Sequence, residues 1–351
     1  MSAPSTVLVT GGAGFIGSHT CVNLLDHGYE LIVVDDYSNS TPQVFSRVER
    51  IAGRFAGAVY ELDIRDRPAL SSVFARHSVD AVVHLAAAKS ASRSLMTPVE
   101  YYDTNVGGTT ALLQTMHEHG VHRLIFSSTS AVYGDAGPGP LDEATPVRPT
   151  SPYAASKSAC EQLLADVCRR RPEYTVLCLR YCNPAGAHPS GLLGEDPRAV
   201  PESLIPSLAQ VAIGRRERLR VFGTDYPTRD GTTVRDYTHV MDTVEAHRVA
   251  LDHLADAPGM HLFNVGTGRG SSVLEVVAAF SGACGYPVPY EAAPRRPGDV
   301  AELIADASRA AHAWGWRATR NLDDICRDAW RFQQLNPHGY TSYPRRPEKK
   351  G

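Results

Sequence analysis

The apolar rhythm of the chain changes near residue 183. Before that point, short uninterrupted apolar runs alternate with longer stretches in which apolar residues recur every three or four positions. Val7-Leu8-Val9-Thr10 breaks at Gly11, helical spacing over 15–27 stops at Gly28, and Leu31-Ile32-Val33-Val34 ends on Asp35-Asp36. Further strands are predicted at 58–62, 81–85, 123–127 and 175–180, with helices between them, notably 98–119 and 152–170. Continuous Val/Ile/Leu strands separated by helices predict an α/β fold, a doubly wound parallel sheet covered on both faces. After 183 the segments shorten and fill with Pro and Gly, as in Asn183-Pro184-Ala185-Gly186, 223–231 and 293–298. That change predicts a smaller α+β lobe. Segments 234–240 and 261–265 read as pieces that return to the first unit. The expected organisation is a sheet domain over 1–183 with returning segments near 234–265, a lobe over 184–340, and a flexible proline-rich, basic tail over 341–351.

Composition narrows the functional classes. Of 351 residues, 43% are hydrophobic and 21% charged, which excludes wholesale disorder. A net charge of −3 leaves no electrostatic footprint for nucleic acid or an anionic membrane. No apolar run reaches the ~20 residues of a membrane span. A strand begins almost at the first residue, which leaves no room for a signal segment and makes a cytoplasmic location the expectation. The seven cysteines form no C-x-x-C pair and read as small core residues. His117, His119 and His122 read as an exposed helix end before Gly120 rather than a ligand set, and no metal is expected. Arg far outnumbers Lys: only Lys89 and Lys157 precede the terminal Lys349-Lys350. A compact ammonium retained in so Arg-rich a chain is a candidate for chemistry.

Gly11-Gly12-Ala13-Gly14-Phe15-Ile16-Gly17 lies between a strand and a helix. Such a turn needs residues free to take positive φ, and a pyrophosphate approaches only where no Cβ intervenes. The helix N-terminus then offers N–H donors and its positive dipole end. Asp35, at the end of the next strand, is placed to accept ribose hydroxyls, which together predicts a Rossmann dinucleotide site. Two adjacent aspartates with no following arginine favour NAD over NADP, whose 2′-phosphate would meet like charge. Tyr153 and Lys157 stand four apart at the start of a predicted helix and project from one face. A phenol titrates near 10, so it serves as a base at neutral pH only if its anion is stabilised, here by the ammonium and a positive nicotinamide. Thr129, closing the strand at Ser127-Ser128, completes a Thr-Tyr-Lys set.

The Gly-x-x-Gly-x-x-Gly spacing resembles the extended short-chain dehydrogenase/reductase family, in which an Asp after the third strand holds the adenine amine; Asp63-Ile64 stand there. Longer strings are similar to the UDP-glucose 4-epimerases of that family: VTGGAGFIGSHTC (9–21), EYYDTNVGGT (100–109), FSSTSAVYGD (126–135), NPAGAHPSG (183–191), VRDYTHVMD (234–242) and APRRPGD (293–299). The resemblance runs in unbroken order from about residue 6 to 339. It implies that Tyr153 takes the proton of a sugar 4-hydroxyl while C4 gives hydride to NAD, the 4-keto sugar turns, and hydride returns to its other face. It further implies that Lys89 and Asn105 help hold the cofactor. Asn183, Arg235, Arg296 and Asp299 correspond to residues that bind the nucleotide diphosphate and ribose of a UDP-sugar. Helices 98–119 and 152–170 match those of a homodimer interface.

Some positions depart from the family pattern. Cys182 replaces an aromatic, Glu202-Ser203 replaces two asparagines, one of which would touch substrate, and Leu303 stands where the more restricted enzymes carry tyrosine. Ala88 and Ala91 are small and Arg93 adds a charge. Leu303 and Ser203 enlarge the expected sugar pocket, so N-acetylated UDP-hexoses are expected substrates beside UDP-glucose and UDP-galactose. A 4-epimerase working mainly on a UDP-N-acetylhexosamine or another modified sugar is the alternative. A 4,6-dehydratase would need an Asp-Glu pair where Ser130 and Ala131 stand, and a non-catalytic NAD sensor should have lost a member of the Thr-Tyr-Lys set.

Overall fold

A computed structural model describes residues 5–340, apart from 56, 199 and 255–257; the tail expected over 341–351 lies outside them. The first half runs β1 (Thr6–Thr10), α1 (Phe15–Asp26), β2 (Glu30–Asp35), α2 (Val44–Ala52), β3 (Gly57–Glu61), α3 (Arg67–Arg76), β4 (Ala81–His84), α4 (Ala91–Ser94), α5 (Pro98–Tyr102), α6 (Gly108–Glu118) and β5 (Arg123–Thr129). It continues with β6 (Pro140–Leu141), α7 (Pro152–Arg170), β7 (Thr175–Tyr181) and β8 (Asn183–Ala185). The second half carries α8 (Leu204–Ala212), β9 (Leu219–Phe222), β10 (Val234–Arg235), β11 (Tyr237–His239), α9 (Val240–His253) and β12 (Gly259–Val265). Last come β13 (Ser271–Ser272), α10 (Val273–Cys284), β14 (Tyr290–Ala293), β15 (Glu302–Ala305), α11 (Ser308–Trp314) and α12 (Leu322–Leu335).

Seven strands form one parallel sheet in the order β12-β7-β5-β4-β1-β2-β3. Alternation along each strand divides its apolar residues between two cores. Val7, Val9, Leu31, Val33, Val83 and Leu177 pack under α1, α2 and α9. Leu8, Ile32, Val34, Val82, Leu124, Phe126 and Val176 pack under α3, α6 and α7. Both faces are therefore dry, and the uninterrupted apolar runs follow from that. The strand order reverses beside β1, where β2 lies to one side and β4 to the other. Open α/β sheets bind ligands above the carboxyl ends of their strands at such a point.

The lobe has its own core, with Ile205, Leu208, Leu219, Val221, Val276, Phe280 and Ile325 buried together. A four-stranded sheet, β13-β10-β15-β6, joins the lobe to the first half, because β6 comes from before residue 183. The returning segments divide. Gly259–Val265 forms the edge strand β12 of the main sheet, whereas Val234–Arg235 pairs with β13 and β15, and Tyr237–His239 pairs with β8. A strand of two or three residues carries too little pattern to reveal its partner. The stretch expected as one helix over 98–119 is α5 and α6 joined through a wider π turn, Asp103–Gly107. Such turns are frequent at functional sites.

Candidate active site

The glycine turn ends β1 at the reversal point. Gly11 takes φ +69°, and a Cβ there would lie 2.7 Å from the Ala86 nitrogen. A Cβ on Gly17 would lie 2.1 Å from the Gly11 carbonyl oxygen. Gly14 differs: its nearest neighbour would be that same oxygen at 3.3 Å, so this glycine leaves room above the turn rather than filling it. α1 starts at Gly14 with no side-chain cap and no acidic residue in its first turn. The N–H groups of Phe15, Ile16 and Gly17 thus open the helix with its positive dipole end unneutralised, a cradle suited to a pyrophosphate.

Asp35 is buried at the end of β2. Its Oδ2 accepts the Ala13 N–H at 2.9 Å, and Oδ1 accepts the Tyr37 N–H at 2.9 Å and the Ser40 hydroxyl at 2.8 Å. Oδ2 keeps capacity for one more donor, as a ribose hydroxyl would require. Burial pushes this carboxyl up, and the three donors pull it back. Tyr37 adopts φ +52°, a left-handed conformation costly for a residue with a side chain, and hence a mark of functional constraint. After β3, Asp63 pairs with Arg65, with Nη2 at 2.5 Å from Oδ2. Arg65 holds the Asp63 carboxyl below its usual range. The Ile64 side chain covers Gly108, where a Cβ would come within 2.4 Å of its Cδ1.

α7 carries the proposed proton chemistry. Ser151 caps it, accepting the Ala154 N–H, and Pro152 fills the first turn. Tyr153 lies beside Thr129 at the end of β5. Lys157 is 3% exposed, donates to the Ser127 carbonyl at 2.8 Å, and lies 4.7 Å over the Phe126 ring. Burial pushes Lys157 down to about 8. Burial pushes the Tyr153 phenol up, while Thr129 and the Lys89 ammonium draw it back. A permanent positive charge brought against the phenol would lower it further. The sequence reading assigned the stabilising ammonium to Lys157 alone; the structure adds Lys89.

Asn105 lies in the π turn. Its Nδ2 donates to the Ala88 carbonyl at 3.1 Å and to Ser156 Oγ at 2.9 Å, while Oδ1 accepts the Ala88 N–H at 2.8 Å. Both its donors are used within the protein, so it pins the loop bearing Lys89 to α7.

The second half of the chain carries most of the remaining candidates. Arg235 is in register with Leu303 between β10 and β15. Arg235, Asp299, Arg296, Tyr226 and Tyr237 influence one another electrostatically; burial pushes the Arg235 guanidinium down and Asp299 pulls it back up. Arg296 Nε donates to Asp299 at 3.1 Å and the guanidinium covers the Phe222 ring at 4.7 Å. Asn183 opens β8, in register with Tyr237. Leu303 is buried against Val132, Tyr133 and Leu141, so it abuts the turn that follows Thr129. Cys182 approaches Ser130, Arg235 and Asp236. Ser203 donates to Glu195 Oε1 at 3.1 Å, and Glu195 pairs with Lys89 at 2.9 Å. Glu202 accepts from Ser90 and Ser92. The Lys89–Glu195–Ser203 chain and the packing of Leu303 on the turn after Thr129 therefore link the two candidate sets. Sequence reading missed Glu195, Phe222, Glu161 and Arg180; a charged residue inside the apolar strand TVLCLRY was the available signal for Arg180.

The family model described as "NAD dependent epimerase/dehydratase family" matches residues 7–266. The chain is 50% identical over 335 residues to a UDP-glucose 4-epimerase of Yersinia pestis, covering 95% of this chain and 99% of that protein. It is 48% identical over 336 residues to one from Bacillus subtilis, covering 96% and 99%. A solved UDP-glucose 4-epimerase from Bifidobacterium longum, in complex with NAD+ and UDP, superposes with a TM-score of 0.93 at 47% identity, covering 95% of this chain and 99% of that one. The chain belongs to the NAD-dependent epimerase/dehydratase family.

Proposed function

We propose that the chain interconverts UDP-glucose and UDP-galactose by NAD-dependent epimerisation at C4 of the hexose. The observation that carries this reading is the approach of Tyr153 to Thr129 with Lys157 on the same face of α7, in a chain that also has a glycine turn at the strand-order reversal and an Arg235–Arg296–Asp299 cluster. NAD, when bound, supplies a reversible hydride acceptor. The residues that would hold it are the first turn of α1, Asp35, Asp63 with Ile64, and Lys89. Tyr153 takes the proton of the 4-hydroxyl, and Thr129 orients that oxygen. Lys157 and Lys89 stabilise the phenolate. Arg235 and Arg296 bind the diphosphate side, each able to give paired N–H bonds, and Asp299 and Asn183 complete the nucleotide contacts. Because the sugar is anchored by its nucleotide, the ring can turn without leaving, and Tyr153 returns the proton to the product.

The finer parts of this reading concern breadth and assembly. Leu303 lacks the ring and hydroxyl of a tyrosine, which favours acceptance of N-acetylated UDP-hexoses. Met96, in the turn before α5, and Val99 and Tyr102 on α5 are 82%, 75% and 42% exposed beside α7, an apolar surface that suits a homodimer. Among the described residues no helix is long and apolar enough to cross a membrane, in keeping with work in the cytoplasm. The test is direct. Purified protein, denatured without added cofactor, should release NAD(H), and NMR should detect UDP-glucose forming from UDP-galactose. Tyr153→Phe should retain nucleotide and lose at least ~10²-fold in kcat. Near-normal turnover in that variant refutes the assignment of Tyr153.

A further inference from the structure

The buried charges of α7 do not end at Lys157. Glu161 follows Tyr153 and Lys157 at the same four-residue spacing, so all three project from one helical face. Its carboxylate is 6% exposed. Ser128 Oγ donates to Oε1 at 2.5 Å, and Arg180 closes on both oxygens, Nε to Oε1 at 2.9 Å and Nη2 to Oε2 at 2.6 Å. Strand register sets Ser128, Arg180 and Asn264 side by side on β5, β7 and β12, rising toward α7. The Arg180 guanidinium lies 4.9 Å over the Tyr133 ring, and the Tyr133 hydroxyl donates to Asn264 Oδ1 at 2.6 Å. Tyr133 in turn packs against Leu303. The network therefore runs from one turn beyond Lys157, beneath the Thr129 turn, to the substrate lobe.

We infer that Glu161 and Arg180 are positioning residues for the reaction: their ion pair fixes α7 to the ends of β5 and β7, and its balanced charge sets the pH at which Tyr153 acts as base. This rests on the assignment of Tyr153 as that base. A buried ion pair is seldom the cheapest way to seat a helix on a sheet, since apolar residues of similar volume do as well or better. An apolar pair cannot hold two opposed charges one helical turn from a working ammonium. The other titratable or charged neighbours are Cys160 on α7, Cys178 and Tyr181 on β7, and His84 on β4. Tyr133 with Glu143 lies below, and Lys89 and Tyr101 flank Tyr153. Burial keeps both thiols protonated and His84 uncharged near neutral pH. With the thiols neutral, Glu161 is the charged group that acts on Lys157 and Arg180 is its counter-ion, so removing either half of the pair should act with opposite sign.

The experiment measures kcat for UDP-galactose from about pH 5.5 to about pH 9 on NAD-loaded enzyme. Glu161→Gln leaves Arg180 uncompensated, favours the phenolate, and should move the acidic midpoint down by about half a pH unit or more. Arg180→Met should move it up by a similar amount. The double variant should return the midpoint to that of the wild type while kcat stays low. Arg180→Lys keeps the charge but not the fork, so it should lower kcat with the midpoint unmoved. If Arg180→Met does not fold, Glu161→Gln and Arg180→Lys carry the test alone: a downward shift in the first and none in the second. Unmoved midpoints in both charge-removing variants, or shifts of the same sign, overturn the inference. An active Tyr153→Phe would overturn the underlying assignment instead.

Discussion

Two glycines of the cradle should separate under the same substitution. Alanine at Gly17 places a methyl 2.1 Å from the Gly11 oxygen and 2.7 Å from Gly12 Cα, about 1.3 Å inside the 3.4 Å at which ordinary contact begins. Every clashing atom is backbone, so α1 must lift from the turn. Overpacking of this kind costs ~1–3 kcal/mol, and the upper end applies where no side chain can yield. Ala is the better helix former by ~1 kcal/mol, which leaves a net loss near 2 kcal/mol. With an unfolding entropy of about 2.1 cal/mol/K per residue, a 351-residue chain loses about 1.4 °C per kcal/mol, so Tm should fall by about 3 °C. Alanine at Gly14 meets only the Gly11 oxygen at 3.3 Å, so the fold should lose under about 1 kcal/mol. Its methyl stands instead where phosphate oxygens would reach the helix N-terminus, and NAD retention should collapse. Bound NAD itself raises Tm by mass action, so the assay compares thermal unfolding of nucleotide-stripped proteins with NAD content as purified. A stripped Gly17→Ala as stable as wild type, or a Gly14→Ala that keeps stoichiometric NAD, would refute the division of labour.

Arg235→Ala should raise the KM for UDP-sugars at least tenfold with a smaller change in kcat; unchanged binding would remove the lobe cluster from the nucleotide site. Leu303→Tyr should suppress turnover of UDP-N-acetylglucosamine by ~10–200-fold relative to UDP-glucose, the usual worth of a reshaped pocket wall; equal slowing of both sugars would show that Leu303 is no gate. His19, His84 and His247 are buried and held neutral, pushed down to about 3, 3 and 4. The unfolded chain protonates them near 6.5 while the native chain does not, so stability falls as pH drops below that value. Each should cost about 1.2 kcal/mol between pH 7 and 5.5, near 4 kcal/mol together, and flat urea midpoints over that window would contradict their burial.

The main sheet was legible because both of its faces are dry: each strand reads as an unbroken apolar run whatever its neighbours, and the intervening helices show one apolar stripe. The cradle was legible because glycine spacing is a local property of the turn. Shorter pieces were not. Pro140-Leu141 and Val234-Arg235 pair with β15 through two residues each, and their partners lie far along the chain. The π turn at Asp103–Gly107 leaves helical spacing intact on either side. It nonetheless sets the Asn105 amide on Ala88 and Ser156, a placement that no local pattern announces.

The two halves of the site differ in how they encode chemistry. The proposed cofactor half is built from backbone groups and carboxylates at strand ends, where position along the chain nearly fixes position in space. The proposed substrate half draws Asn183, Arg235, Arg296 and Leu303 from separate segments of the chain. Individual residues there carry no pattern, and their assignment came through resemblance rather than spacing. Arg180 falls between these cases. A guanidinium inside TVLCLRY, a strand buried along its whole length, must be paired or it could not be there. The sequence thus announces that a partner carboxylate exists without saying which one. Glu161, two turns beyond Tyr153 on a helix already singled out for its chemistry, satisfies that demand. Buried charge that a strand cannot resolve by itself is thereby tied to the helix that holds the proposed base.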